Sequence, residues 1–458
     1  KDSYLIVSIT TDRYVNKGFA RPIFNHNQRA QFLSELSIVD YIVLSDNQNS
    51  VKVINLIKPD FYAKGLEYKN FKKDITGNII KETNAVKKNK GKIIFVDKPT
   101  FSSSNLINNS EILYNEVQKN FIKKLKVKYG TDQMIKFLDK FKKIKSLIIG
   151  ETIIDKYSYC EALGKSGKEP YLAFNEIYEK IYLGGAASIA KQFREYTKYV
   201  KLLSMIGEKK EFLNFIKDRL PNISIKNFIY KSKSPTILKK RYIDIISKNK
   251  VFGSYSINTD EINKNQEVEF IKKIKSLNKN FNIVLISDYG HGFITKKVAS
   301  NICNSRKFIA LNAQVNAANI GYHSIAKYRR IDALIINETE LRYEMKSRYD
   351  QTESLAKKYL SNSNINYLVV TMGSQGSFMI TKNNKIFRCP AFASKIVDKV
   401  GAGDSMLSII SICLKLKIPE EVSLFLGAII ASYSLSNYSS EETVNIETLK
   451  RTIRFMLK

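Results

Sequence analysis

Short apolar runs alternate with amphipathic stretches along most of the chain. Tyr4-Leu5-Ile6-Val7-Ser8-Ile9 and the segments 41–44, 60–63 and 92–96 have strand length and polar borders, and helical spacing fills 28–36 and 51–57. Such runs read as buried strands, and their alternation with helices predicts a parallel α/β sheet. A charged, glycine-poor stretch over 111–145 predicts a helical connector with a break at Tyr129-Gly130. Strand-like runs then resume at Ser146-Leu147-Ile148-Ile149-Gly150 and recur over 235–241, 283–286, 309–314, 333–336 and 368–370. The segments 406–412 and 422–435 predict buried helices; serines and a glycine interrupt the second, so it reads as a core helix and not a membrane span. The expected organisation is an α/β domain over 1–109, a connector over 110–145 and a second α/β domain over 146–458.

Composition narrows the picture. A chain of 458 residues has room for two or three domains. Its four cysteines, Cys160, Cys303, Cys389 and Cys413, lie far apart, so a reducing, cytoplasmic setting is expected. His26, His291 and His323 are too scattered for a zinc site. The net charge of +32 comes from lysines spread among Asn and Ile, without a basic tail. It is read as compositional bias, with no nucleic-acid partner and no membrane partner expected. The chain begins at Lys1 and not Met, and no signal peptide is visible; a preceding segment is expected.

Candidate chemistry centres on Asp398-Lys399-Val400-Gly401-Ala402-Gly403-Asp404-Ser405, just before the first buried helix. A Gly-Ala-Gly turn opening a helix presents unpaired N–H groups backed by the helix dipole, a site suited to phosphate. Asp404 at its mouth can take the proton of an attacking hydroxyl, or it can be a simple helix cap.

The octet resembles the Asp-Thr-x-Gly-Ala-Gly-Asp signature of the ribokinase-like (PfkB) carbohydrate kinases, with Lys399 in place of threonine. Further pieces follow the order of that family, with features similar to the heptose-phosphate kinases. Gly150-Glu151-Thr152-Ile153-Ile154-Asp155 resembles its opening motif, with Glu151 replacing an aspartate. Gly184-Gly185-Ala186-Ala187-Ser188 resembles its diglycine motif, with Ser188 replacing asparagine. Pro235-Thr236-Ile237-Leu238-Lys239-Lys240-Arg241 and Ser287-Asp288-Tyr289-Gly290-His291-Gly292 resemble two substrate-side segments. Asn337-Glu338-Thr339-Glu340 and Thr371-Met372-Gly373-Ser374-Gln375-Gly376 resemble its nucleotide side. Asn312 stands in a segment that departs from the Asp-Pro-Lys of heptose-phosphate kinases.

The resemblance implies a ribokinase-like three-layer α/β sandwich with a small lid. It implies ATP as phosphoryl donor, Mg²⁺ organised near Asn337 and Glu340, and a nucleotide wall at Thr371, Gly373 and Gly376. Asp404 is then the base, and Gly401, Ala402 and Gly403 the anion hole. Asp155, Gly184, Gly185 and Asp288 are implied sugar contacts. Lys239 and Arg241 share a strand face, where they hold a substrate phosphate or are simply solvated cations. A homodimer formed through the lid is also implied.

The first domain resembles the sugar-phosphate nucleotidylyltransferases of nucleotide-activated heptose synthesis. The pieces are Thr11-Asp12-Arg13-Tyr14-Val15-Asn16-Lys17-Gly18, Arg21-Pro22, Arg29-Ala30, Lys58-Pro59-Asp60, Lys64-Gly65 and Thr100-Phe101-Ser102-Ser103-Ser104. This implies a partial Rossmann-like domain in which Lys17, Arg21, Lys64, Ser102 and Ser103 meet nucleotide phosphates. No His-x-Gly-His is present, so an incomplete sheet without nucleotidyl transfer is expected in this chain. The whole then reads as an ATP-dependent kinase for a sugar or sugar phosphate, most closely a heptose phosphate. The alternatives are a kinase for another sugar or a nucleoside, or a catalytically impaired binding protein.

Overall fold

The computed structural model describes residues 3–15, 22–65, 68, 78–96, 114–278, 280–316, 318–320, 324–394, 396–438 and 443–458. The chain divides into two compact units, Lys1–Ile122 with Glu447–Lys458, and Lys123–Ile446.

In the first unit, β1 (Ile6–Thr10), α1 (His26–Ser34), β2 (Tyr41–Ser45), α2 (Val51–Ile57), β3 (Phe61–Gly65), α3 (Ile79–Lys88) and β4 (Lys92–Val96) follow in order. Every predicted strand is present. Among the described residues they form two separate parallel ladders, β1 with β2 and β3 with β4, and not one sheet. Thr11, just past β1, donates to Asp46 at 2.7 Å, and Asp12 accepts from Arg29 at 2.7 Å. The two sequence motifs thus close one corner. α3 lies in a lysine-rich segment that gave no helix in the sequence reading; it buries Ile79, Ala85 and Val86. α4 (Glu116–Asp139) begins in the first unit and continues into the second along the chain, and it is broken at Gly130 (φ 67°) where the sequence placed the break.

The second unit is built on β5 (Lys145–Lys165), which runs far past the predicted end at Gly150. Its first third lies in the central sheet, parallel to β7 (Tyr199–Gly207) on one side and to β11 (Ile283–Asp288) on the other. The remainder leaves that sheet and pairs with β6 (Leu172–Gly184) and β9 (Ile237–Asp244). β10 (Lys250–Ser256) completes this second layer as an exposed edge strand. One strand therefore belongs to both the core and the lid. The close crossing needs Gly150, since a Cβ there would lie 2.2 Å from the Ser287 carbonyl.

The central sheet continues from β11 through β12 (Phe308–Ala313), β13 (Ala333–Asn337), β14 (Tyr367–Thr371), β15 (Ser377–Thr381) and β16 (Ile386–Cys389), while β8 (Ile229–Lys231), reached through α6 (Leu213–Arg219), flanks β7. Alternate strand residues serve opposite faces. Leu147, Val284, Ile309, Leu334 and Leu368 join a core with residues of α7 (Lys264–Asn278), α8 (Lys296–Cys303), α9 (Glu338–Met345) and α10 (Thr352–Ser361). The other face carries α5 (Gly185–Arg194) against β5, and α11 (Ala402–Lys415) against β11, β12 and β13, with α12 (Glu420–Leu435) packed on α11. The α12 segment is the apolar stretch read as a core helix, and residues 422–432 of it are all buried. Among the described residues no helix is long and apolar enough to cross a membrane. All four cysteines are buried free thiols.

Candidate active site

The site lies at the carboxyl ends of β11 to β14, where open α/β sheets bind ligands. α11 begins there. Gly401 (φ 88°) sits in the left-handed region, which side chains rarely adopt, and reverses the chain into the helix. The first turn closes by Ser405 N–H donating to the Gly401 carbonyl at 2.9 Å. Ala402, Gly403 and Asp404 are first-turn positions whose N–H groups have no partner within the helix. A Cβ at Gly403 would meet nothing within 4 Å, so the turn borders open space.

Asp404 is 7% exposed beside these amides. Tyr289 Oη donates to its Oδ2 at 2.8 Å, and Gln314 Nε2 to its Oδ1 at 3.3 Å. Burial pushes its carboxyl up to about 7; the Tyr289 bond opposes that, Asp155 adds to it and the Lys239 ammonium opposes it. A carboxylate poised near neutrality is suited to accept a proton. The sequence reading assigned no role to Tyr289 or Gln314. Tyr289 lies in a quoted motif, at the end of a buried strand; nothing local marks Gln314.

Tyr289 is held in turn by Glu151. Fully buried, Glu151 accepts from the backbone N–H groups of Tyr289 (3.1 Å) and His291 (3.2 Å). Burial, then the Asp288 charge, pushes it up to about 7. Asp288 is 1% exposed and already accepts from Tyr328 Oη and Lys327 Nζ, both at 2.6 Å, and from Gly290 N–H at 3.0 Å. Its carboxylate ties the 327–328 segment to β11.

The lid carries the other substrate-side residues. Asp155 on β5 pairs in register with Lys239 on β9, and Tyr157 with Arg241. Lys239 and Arg241 share a face, as the spacing predicted, yet play unequal parts. Arg241 Nη1 binds Asp155 Oδ1 at 2.5 Å. Lys239 is 9% exposed and lies 5.4 Å from the Tyr289 ring centroid. Among the described residues it has no carboxylate within 4.0 Å. Burial pulls its pKa down, and Asp155 opposes this. The diglycine has a steric reason. A Cβ on Gly184 would lie 2.3 Å from Asp155 Oδ2, and one on Gly185 (φ 60°) 2.3 Å from the Glu151 carbonyl.

On the opposite flank, Asn337 caps α9. Its Oδ1 accepts from Glu340 N–H, and Glu340 Oε2 accepts from Asn337 N–H, both at 2.8 Å. Burial above all raises Glu340 to about 7; bonds from Asn337 and Val315 oppose this, and the Asp404 charge adds to it. The Asn337–Glu340 turn and Asp404 thus feel one another. Among the described residues no cluster of three or more His, Cys, Asp or Glu side chains forms. A single carboxylate still fits Mg²⁺, which keeps water ligands and takes the rest from phosphates. Thr371 ends β14 beside Asn337 in register, and Gly373 (φ 57°) and Gly376 (φ 91°) form the next turn. A Cβ at Gly376 would strike the Cys389 carbonyl at 2.2 Å. Asn312 is buried and donates to the Ile335 carbonyl at 2.8 Å, stitching β12 to β13.

In the first unit, Lys64 binds the buried Glu82 at 2.9 Å, so its charge is neutralised internally. Lys17, Arg21, Ser102 and Ser103 lie outside the described residues.

The mixed sheet, the strand-built lid and the glycine turn opening α11 define an α/β kinase of small molecules. Residues 143–446 match the pfkB family carbohydrate kinases, and the chain belongs to that family. It is 28% identical over 287 residues to the bifunctional protein HldE of Campylobacter jejuni subsp. doylei, covering 61% of this chain and 58% of that protein. With the HldE of Syntrophotalea carbinolica it shares 24% identity over 323 residues, 68% of this chain and 64% of that protein. The chain therefore spans well under two thirds of the first of these relatives. In fold it resembles Arabidopsis thaliana ribokinase, solved with ribose and ATP (TM-score 0.51, 18% identity, 69% of this chain and 99% of that one). It also resembles Escherichia coli phosphofructokinase-2 with potassium (TM-score 0.55, 13% identity, 68% and 99%). These likenesses show the ribokinase-like fold.

Proposed function

We propose that this carbohydrate kinase transfers the γ-phosphoryl group of ATP to a hydroxyl of a sugar phosphate, a heptose phosphate on the way to nucleotide-activated heptose. The observation that carries the substrate class is Lys239: a buried ammonium in the lid with no carboxylate partner among the described residues. A cation held this way is stabilised by an incoming anion, and a second phosphate on the acceptor supplies one. The HldE relatives support the heptose assignment.

In this reading Asp155, Gly184 and Gly185 hold the sugar, and Lys239 its phosphate. The acceptor hydroxyl gives its proton to Asp404 as its oxygen bonds to the γ-phosphorus and the bond to the ADP oxygen breaks. The amides of Ala402, Gly403 and Asp404 stabilise the charge on the transferring group. Glu340 is the proposed protein ligand for Mg²⁺, which when bound neutralises the donor phosphates. Thr371, Gly373 and Gly376 line the nucleotide side. The first unit is read as a nucleotidyltransferase-like module, supported by its element order and the Thr11–Asp12–Arg29 corner.

ADP release with Mg-ATP, measured across a panel of sugars and sugar phosphates including heptose 7-phosphate, tests the proposal. Turnover confined to unphosphorylated sugars or nucleosides would remove the phosphate assignment; ATP binding without any turnover would remove the catalytic one.

Two further results are expected. The active form of Asp404 is the carboxylate, so kcat/KM falls as pH drops through about 7. In Tyr289→Phe the carboxylate loses the hydroxyl that stabilises it, so this limb moves to higher pH and the plateau drops by about tenfold. A wild-type limb near pH 4 would contradict the assignment. In Gly184→Ala the new methyl displaces the Asp155 carboxylate, so acceptor KM rises by roughly 10- to 100-fold while ATP KM is unchanged. Steady-state kinetics with each substrate varied decides it.

A further inference from the structure

With the kinase reading above as its basis, the geometry points to Lys250 and Tyr157 as positioning residues that hold the anion-hole turn in shape through Asp398. Neither residue belongs to the substrate or nucleotide sites described above. Both belong to the lid, on β10 and β5 respectively.

Asp398 is 2% exposed and opens the octet that leads into Gly401. Its Oδ1 accepts from Lys250 Nζ at 2.5 Å and from Val400 N–H at 3.1 Å. Its Oδ2 accepts from Tyr157 Oη. The backbone N–H groups of Val397 (2.7 Å) and Asp398 (3.3 Å) both donate to the Leu435 carbonyl at the end of α12. The turn is therefore pinned from the core by α12 and from the lid by two side chains. Tyr157 is fully buried among Tyr159, Tyr182 and Ile243. Its ring lies 5.4 Å from the Arg241 guanidinium and 5.7 Å from the Lys250 ammonium. Tyr157 also stands two residues past Asp155, so both project from one face of β5.

Three physical steps connect these contacts to phosphoryl transfer. A buried carboxylate needs its cation, and removing one partner of such a pair leaves an uncompensated charge. Relieved of Lys250, Asp398 is drawn toward water. Its Oδ1 also holds Val400 N–H, so the residue just before Gly401 follows, and the Ala402–Asp404 amides lose their convergence. Lys250 thus acts on the transition state and not on ground-state binding.

The test compares the wild type with Lys250→Met, Lys250→Arg and Asp398→Asn. In Lys250→Met kcat is expected to fall about tenfold, with both KM values within about twofold. Lys250→Arg, which keeps the charge, restores most of the rate. Asp398→Asn, which keeps the shape and loses the charge, behaves like Lys250→Met. Hydrogen exchange over 398–405, which needs no turnover, speeds up several-fold in Lys250→Met and not in Lys250→Arg. Lys250 is 39% exposed on an edge strand, so the Met variant folds, with a melting temperature lowered by the uncompensated Asp398 charge. Unchanged exchange in Lys250→Met overturns the assignment whatever the rate does, and so does a loss confined to KM or one that arginine fails to restore. A wild type without turnover on any acceptor sinks the kinase reading instead, and the exchange experiment still decides this one.

Discussion

Asp404→Asn is expected to lower kcat by about 10² to 10⁴-fold, the usual contribution of a positioned general base. The amide is isosteric, and its oxygen can still accept from Tyr289, so the site keeps its shape. What it loses is the ability to take the acceptor proton. The same substitution should leave the protein more stable at alkaline pH. Burial raises the Asp404 carboxyl from 3.8 to about 7 in the folded chain, so the native state binds the proton more tightly than the unfolded state. Stability from this group is therefore complete below pH 3.8 and declines as pH rises through about 7. Above that range the ionised, buried carboxylate costs the native state on the order of a few kcal/mol, which asparagine does not. Activity and melting temperature are expected to move in opposite directions at pH 8, and neither unfolding nor a passive capping role produces that pair. Unchanged kcat would remove Asp404 from the chemistry.

Lys239→Met is expected to lower kcat/KM for a phosphorylated acceptor by about 10²-fold. Hydrogen bonds to charged groups contribute ~1.5–3 kcal/mol, and each ~1.4 kcal/mol is a factor of ten. Methionine retains the apolar stem that packs in the lid, so the loss reports the charge. The change should fall mainly on KM, because the phosphate of the acceptor is bound alike before and during transfer. Turnover of an unphosphorylated sugar should shift by less than about threefold. Removing a buried ammonium that has no carboxylate partner among the described residues should not reduce stability. Arg241→Met behaves differently. It removes the guanidinium paired with the buried Asp155 carboxylate, which is 3% exposed, so it should destabilise the lid and impair every acceptor. Equal loss for phosphorylated and plain sugars in Lys239→Met would discard the phosphate assignment.

Much of this was legible along the chain. Apolar runs of strand length placed β1 to β4, β11, β13 and β14 within a residue or two. β11, β13 and β14 are apolar because both of their faces are covered, whereas β1 to β4, expected as buried strands, leave residues such as Tyr41, Phe61 and Ile94 exposed. The Gly401-Ala402-Gly403 turn, the break at Gly130 and the α12 core helix were read from local chemistry that nothing distant overrides. Where the sequence reading stopped short, the deciding partners were remote. β5 was expected to end at Gly150, yet its continuation is held by β6 and β9, whose pairing no local pattern announces. α3 was hidden because it lies in a polar, lysine-rich stretch, and two of its five buried residues, Glu82 and Thr83, are polar.

The sequence alone determined which residue types stand at each strand end and helix start. Those depend on period, on glycine's conformational freedom and on the order of short motifs. Only the tertiary structure decided what each charge does. Asp288 and Asp155 look alike in sequence, but one is tied to Lys327 and Tyr328 and the other to Arg241 beside the diglycine. Lys239 and Arg241 share a strand face, but among the described residues Arg241 has a carboxylate to hold and Lys239 has none within 4.0 Å. Tyr289 and Gln314 reach Asp404 across 115 and 90 residues of chain. The strength of a charge is set by burial and by the nearest opposite charge. Both are properties of packing, and the packing is written in no single stretch of the sequence.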